Sequence, residues 1–92
     1  ENAMALTKET VVDKIEVLEM GQVQVRTATR VKEDGAVLSS SFHRHVVEPS
    51  TKASGSWADT DISGEDARVQ AIATATWTDS VKTAYQAMID AT

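Results

Sequence analysis

The residues with the clearest chemical potential are two histidines, His43 and His45, separated by one residue. Side chains two apart on a β-strand point to the same side, which sets their Cα atoms roughly 6.5–7 Å apart. Two imidazoles at this spacing are weak candidate ligands for zinc, nickel or copper. The third ligand considered, Glu16, would be separated from His45 by Gln24. The alternatives are a solvated polar face and a pH-sensitive contact, and we predict no metal and no other cofactor.

Three basic residues, Lys14, Arg26 and Arg30, are predicted to share that polar face with the histidines. A basic strip of this kind suits an acidic protein partner or a nucleic-acid backbone. However, the chain carries a net charge of −5 and has a pI near 4.8. No aromatic residue is predicted on the face, so a platform for stacking bases is missing and nucleic acid is not favoured. The alternative is a charged sheet face that resists aggregation.

Arg44 and Trp57 complete the set of candidate interaction residues. Arg44 is predicted on the core face, where three outcomes are open. It extends past a helix end, a bulge turns it outward, or it pairs with a carboxylate such as Glu48 or Asp66. Trp57 lies in an acidic segment and is either an exposed contact point or a cap on the edge of the core.

Catalytic chemistry has little support in the sequence. The chain has no cysteine, which excludes a thiol nucleophile, a cysteine-ligated zinc and disulfides. It has no glycine-rich phosphate loop and no G-x-S-x-G elbow. Ser41 shares a predicted face with His43, but no carboxylate is predicted beside them. We therefore predict that the protein is not an enzyme and has no catalytic residue.

The elements that position these side chains are predicted as three strands over about residues 10–47. Three β-branched runs alternate between polar and apolar residues, at 11–18, 23–31 and 36–47. Asp34-Gly35 signals a two-residue hairpin, because both positions need a positive φ. Glu19-Met20-Gly21 suits a three-residue turn that ends in a left-handed glycine.

The strand register is predicted by requiring one apolar face. In the first hairpin this pairs Val17 with Val23 and Ile15 with Val25. In the second hairpin it pairs Val31 with Leu38, Thr27 with Phe42, Val25 with Arg44 and Val23 with Val46 on the core face, and Arg26 with His43 and Gln24 with His45 on the polar face.

The second half of the chain is predicted as a loop over 48–62 and two helices over about 63–76 and 78–91. Ser63 resembles the start of a capping box, Thr78 begins the second helix, and Trp77 fills the corner between them. The predicted fold class is α+β: a three-stranded antiparallel β-meander, in the order 1-2-3, followed by two α-helices packed on one face. Residues 4–92 form one domain, and residues 1–3 resemble a cloning scar ahead of Met4.

Several segments resemble small uncharacterised proteins encoded by tailed bacteriophages and prophages. The resemblance covers most of the chain from Met4 and is carried by residues 4–19, 26–29, 33–35, 42–45, 65–72 and 77–78. It implies a phage accessory or virion-associated protein and supplies no catalytic residue. The stretch from Ser50 to Asp61 departs from the family pattern, so nothing is carried over for that segment.

These observations favour a non-enzymatic, phage-type structural or accessory interaction protein that associates with itself as a homo-oligomer. Two long strands with open edges are the feature that motivates self-association. The alternative is a small regulator that binds a host protein through the loop around Trp57 or through the basic sheet face. The expected location is the host cytoplasm or the virion, because no signal peptide and no membrane-spanning run is recognised.

Overall fold

The computed structural model describes residues 5–92. It confirms the predicted α+β class. Three strands, β1 (Leu6–Val17), β2 (Val23–Glu33) and β3 (Ala36–Val47), form an antiparallel meander in the order β1-β2-β3. Two C-terminal helices follow, α1 (Ala67–Thr76) and α2 (Asp79–Asp90). The cloning scar predicted at residues 1–3 and the start at Met4 lie outside the described residues.

The first hairpin has the predicted register. Val17 pairs with Val23 and Ile15 with Val25, across a three-residue turn that ends at Gly21. The turn is closed by the amide of Gly21, which donates to the carbonyl of Leu18 at 2.9 Å. Gly21 has a φ of +90°, the left-handed conformation that glycine adopts at the lowest cost.

The second hairpin has the predicted turn but a different register. Asp34 and Gly35 both have positive φ, and Glu33 pairs with Ala36 as expected. The pairing then shifts, because Val31 pairs with Ser39 while Lys32 pairs with Val37. The extra residue, Leu38, forms a β-bulge. Because of this bulge, every later residue of β3 lies on the face opposite to the predicted one.

The predicted faces of β3 are therefore wrong from the bulge onward. His45 pairs with Val25 and His43 with Thr27, so both histidines lie on the side that packs against the helices, here called the helix face. Arg44 pairs with Arg26 on the opposite side, here called the open face. Of the three outcomes considered for Arg44, the bulge that turns it outward is the one observed.

The segment 48–62, predicted as a loop, contains a third hairpin. Strands β4 (Ser50–Ala53) and β5 (Ser56–Asp59) form a separate two-stranded sheet. Its turn residues, Ser54 and Gly55, have φ of 53° and 81°, which is the same two-residue arrangement as at Asp34-Gly35. The loop prediction failed because the two strands are only four residues long and largely polar.

The helices begin close to the predicted positions. Asp66, rather than Ser63, caps α1, and its carboxylate accepts from the amide of Arg68 at 2.9 Å. Thr78 caps α2 as predicted and accepts from the amide of Val81. Ser63 instead belongs to a turn in which its amide donates to the Asp61 carboxylate.

The buried core lies at one end of the meander. It consists of Val23, Val25, Val47, Val69 and Ala73, with Val12, Ile15, Ile62 and Trp77 packed against it. The strands continue well beyond these residues, and the molecule measures 64 × 23 × 21 Å. We call the outer part of the meander, residues 6–11, 28–33 and 36–42, the projecting sheet.

Gly21 offers a test of how the turn meets the helices. A Cβ at Gly21 would lie 2.6 Å from Val81 Cγ1, whereas a Cβ at Gly35 would meet nothing within 4 Å. Gly35→Ala should cost about 1 kcal/mol for the left-handed backbone alone. Gly21→Ala should cost about 2–4 kcal/mol because steric overlap is added. Urea unfolding of both variants measures the difference, and equal losses would contradict the close packing at Gly21.

Candidate functional site

The open face of the sheet carries a row of three basic residues, one from each strand. Lys14 pairs with Arg26, and Arg26 pairs with Arg44, so the row crosses the meander at right angles to the strands. Arg30 lies on the same face farther out. The prediction that Lys14, Arg26 and Arg30 share a face is confirmed. The histidines predicted on this face lie on the helix face, and Arg44 lies on the open face in their stead.

Most of the basic groups on the open face are neutralised by carboxylates from β1. Asp13 accepts two hydrogen bonds from the Arg26 guanidinium, at 3.0 and 2.7 Å. Glu9 forms ion pairs with Lys32 at 3.1 Å and with Arg30 at 3.4 Å. These cations lower the pKa of both carboxyl groups, chiefly by hydrogen bonds from Arg26 to Asp13 and from Lys32 to Glu9.

On the open face, Arg44 and Lys14 are the basic side chains that the carboxylates Asp13 and Glu9 do not neutralise. Within residues 5–92, Arg44 forms no ion pair with a carboxylate, and Lys14 lies 3.8 Å from Glu16 with both side chains half exposed. Exposed pairs of this kind contribute little to stability. A shallow pocket of about 170 Å³ lies between Lys14, Arg44 and Val46. The guanidinium of Arg44 has the geometry to bind a carboxylate or phosphate group through two parallel hydrogen bonds.

One aromatic residue, Phe42, also lies on the open face. Sequence reasoning placed it on the core face opposite Thr27, but the bulge pairs it with Ala28 instead. The Arg26 guanidinium lies over its ring, 4.4 Å from the ring centre. Phe42 is half exposed. A single ring is less than the series of aromatic side chains on which single-strand binders stack successive bases.

The two histidines lie side by side on the helix face. Their ring centres are 6.3 Å apart and the rings are stacked. The Nε2 atom of His45 lies 2.8 Å from a carboxylate oxygen of Glu65, just before α1. Across residues 5–92, no three side chains of metal-ligating type converge on one point. The contact between His45 and Glu65 joins β3 to the segment that leads into α1.

Trp57 attaches the β4–β5 hairpin to α2. Its indole N–H donates to Asp90 at 3.2 Å, and its ring meets Tyr85 edge to face, with the ring centres 6.1 Å apart. Lys52 also binds Asp90, at 2.8 Å. These two donors lower the pKa of the Asp90 carboxyl, with Lys52 the larger cause. Trp57 is thus half-buried and engaged within the molecule, whereas the contact interpretation treated it as exposed.

A cleft of about 530 Å³ lies beside Trp57, between the hairpin and α2. Several of its polar side chains already form hydrogen bonds within the molecule. The hydroxyl of Tyr85 donates to Glu48, and the Ser50 hydroxyl accepts from the side-chain amide of Gln86. Burial, with the Glu48 hydrogen bond second, raises the pKa of Tyr85 to about 12, so this hydroxyl stays protonated.

Two carboxylates that organise these surfaces were missed in the sequence. Asp13 occupies a second β-bulge, between Val12 and Lys14. Its signal was available, because two apolar residues followed by two charged ones break the alternation of a regular strand. Asp90 lies 33 residues from Trp57 along the chain, and no local pattern indicates that contact.

Comparison of the chain with protein-family models, with curated proteins and with solved structures gave no match. In the part of the chain that the structure describes, neither helix has the length and apolar character needed to cross a membrane.

The Asp13–Arg26 pair should make stability depend on acid. The folded-state pKa of Asp13 lies below its unfolded value, so its contribution is present above about pH 4 and is lost as pH falls through the lower folded value. We expect Asp13→Asn to reduce the urea midpoint at pH 7 and to flatten its decline at acid pH. Asp34→Asn is the control, because asparagine also tolerates a left-handed turn. Parallel acid profiles for Asp13→Asn and the unsubstituted protein would contradict this role.

The Trp57 contacts predict how the hairpin responds to substitution. Trp57→Ala removes both the Tyr85 contact and the Asp90 hydrogen bond, so amides in residues 50–59 should exchange with solvent at least about tenfold faster. Trp57→Phe keeps the aromatic contact, so its exchange rates should lie between those of Trp57→Ala and the unsubstituted protein. Amides of β2 should be unaffected. Hydrogen exchange read by mass spectrometry measures this, and unchanged exchange in Trp57→Ala would restore the exposed-contact interpretation.

Proposed function

We propose that this chain is a non-enzymatic protein that assembles with itself, of the structural or accessory kind encoded by tailed phages. The observation that carries the proposal is the projecting sheet. Its two outer segments, residues 6–11 and 36–42, have unpaired edges, and neither segment contributes a residue to the core. Its exposed apolar side chains are Leu6, Val37, Leu38 and Phe42.

The projecting sheet is hard to explain in an isolated molecule. A sheet normally buries at least one face against another layer. Here the sheet residues of the core begin at Val12, and among residues 28–33 and 36–42 only Ala28 is buried. Strands of this length in a small domain are stabilised when a second protein layer or edge covers them.

The polar groups elsewhere in the molecule support a role without catalysis. Tyr85 is bonded to Glu48, Ser50 to Gln86 and His45 to Glu65. In each case the groups tie one element to another. A catalytic group needs a partner placed to move a proton to or from a substrate, and these side chains are placed to hold the fold.

The phage assignment rests on the sequence resemblance, and the shape is compatible with it. A small body that carries a long sheet can insert that sheet between neighbouring copies. The virion and the host cytoplasm are the proposed locations.

Light scattering on a size-exclusion column tests self-association. We expect a mass of at least twice 9.9 kDa that rises with concentration and is unchanged by chelator. A chelator-sensitive mass would mean that His43 and His45 bind metal between copies. A mass of 9.9 kDa at every concentration would overturn the proposal.

A second candidate is a small regulator that binds an acidic segment of a host protein. The observation that favours it is Arg44, which has no ion pair within residues 5–92 and lies beside Lys14 at a shallow pocket. The basic open face, rather than Trp57, would make the contact. A monomer that captures a host protein in a salt-sensitive manner would favour this candidate.

A further inference from the structure

The two outer edges of the meander differ sharply in charge. The edge strand β1 carries five charged residues and a bulge at Asp13. Charged side chains and bulges are the devices by which natural edge strands avoid pairing with other chains. The β1 edge is therefore protected.

The β3 edge lacks these devices over most of its length. From Ala36 to Phe42 it has no charged residue and no proline. All nine residues from Ala36 to Arg44 are exposed. Its bulge, at Leu38, lies near the hairpin tip, and the strand is regular from Ser39 to Val47. An exposed, uncharged edge of this length is a template for another strand.

We propose that β3 pairs with β3 of a second copy of this chain, in antiparallel orientation, with the centre within Ser39–Ser41. This inference rests on the proposed self-association and specifies its surface. The exposed segment has its midpoint at Ser40. Toward Val47 the strand joins the helical half of the molecule, because Val47 is buried in the core and His45 contacts Glu65, which keeps the centre of the pairing in the outer segment.

Self-pairing fits the residues of β3 better than pairing with an unrelated strand. Around a twofold axis near Ser40, Phe42 of each copy lies close to Leu38 of the other. Both side chains are about half exposed in the single chain, at 49% and 57%, and such cross-strand apolar pairs are stabilising. The serines at the centre can bond across the strands without bulk. The two Arg44 side chains lie about 27 Å apart and do not repel each other.

The same charges argue against pairing β3 with β1 of another copy. That contact would set the uncharged edge of β3 against Lys8 and Glu9, at the outer end of β1. It would also be a head-to-tail contact, which propagates into an open array. Pairing through β3 alone closes after two copies and gives a continuous six-stranded sheet with the charged β1 strands at both outer edges.

Two matched substitutions test the β3 pairing. Ser41 and Thr10 lie in the same row of the meander, because both pair with Thr29. Both side chains are exposed. Ser41→Lys should halve the mass measured by light scattering, because it sets a charge at the centre of the pair, while Thr10→Lys should leave the mass unchanged. Circular dichroism and the melting temperature of each variant check that the fold is retained.

Single cysteines give a second measurement that does not depend on dissociation. The chain has no cysteine of its own. Opposed Cα atoms in an antiparallel pair lie about 4.5–5.5 Å apart, within the range of a disulfide. Of Ser39→Cys, Ser40→Cys and Ser41→Cys, at least one should form a covalent dimer rapidly under mild oxidation. Thr10→Cys should remain monomeric on a non-reducing gel.

The outcomes separate this inference from the proposed function. If Thr10→Lys dissociates the assembly and Ser41→Lys does not, the edge used is β1, and β3 pairing is overturned while self-association stands. If neither lysine changes the mass and no serine position cross-links, the helical half mediates assembly. In that case too, β3 pairing is overturned and self-association stands. If the unsubstituted protein has a mass of 9.9 kDa throughout, both proposals fail.

Discussion

The contact on which the rest of the structure depends is the one between Trp77 and Gly21. The indole N–H of Trp77, at the corner between the two helices, donates to the carbonyl of Gly21 at 2.7 Å. The absence of a side chain at Gly21 lets Val81 and Pro49 pack against the same turn. This contact fixes the helix pair over one end of the meander. The contact thereby places Val69 and Ala73 of α1 over Val23 and Val25 of β2, which form the small core.

Charge is divided between the two ends of the molecule. Residues 5–47 contain six basic and six acidic side chains, whereas residues 48–92 contain three basic and seven acidic ones. The meander is thus close to neutral, and its ion pairs run across the open face from β1 to β2. The helical half carries the acidic character that the composition reports for the whole chain. The net charge of −5 for the whole chain therefore comes almost entirely from the helical half.

The features that could be predicted from the sequence are those where apolar and polar residues alternate clearly along the chain. The first hairpin was predicted in register because Val17, Val23, Ile15 and Val25 share one face in only one alignment with Gly21 in the turn. The second hairpin lacks this contrast. Its strand β3 has serines at three successive positions, so pairing frames one residue apart are similar in energy, and the bulge at Leu38 could not be read.

The face on which each residue of the candidate site lies was predicted correctly only where the strand register was predicted correctly. Lys14 and Arg26 pair in the part of the first hairpin that was predicted in register, and Arg30 follows Arg26 on β2 by the two-residue alternation, so all three share the open face as expected. Arg44 and the histidines lie beyond the bulge, and their faces were exchanged. The partner of Trp57, Asp90, is distant in sequence and belongs to the opposite end of the second half, so only the tertiary fold brings them together.

The separation of the meander from its helices also has a consequence for synthesis of the chain. Val23 and Val25 leave the ribosome roughly fifty residues ahead of Trp77, which at cellular elongation rates is a delay on the order of seconds. Hairpins form in microseconds, so the meander has ample time to pair before Val69, Ala73 and Trp77 exist to cover it. During that interval the face that later becomes the core is open to other nascent copies. The proposed self-association is therefore open to control by the order in which the parts of the chain emerge as well as by their final affinity.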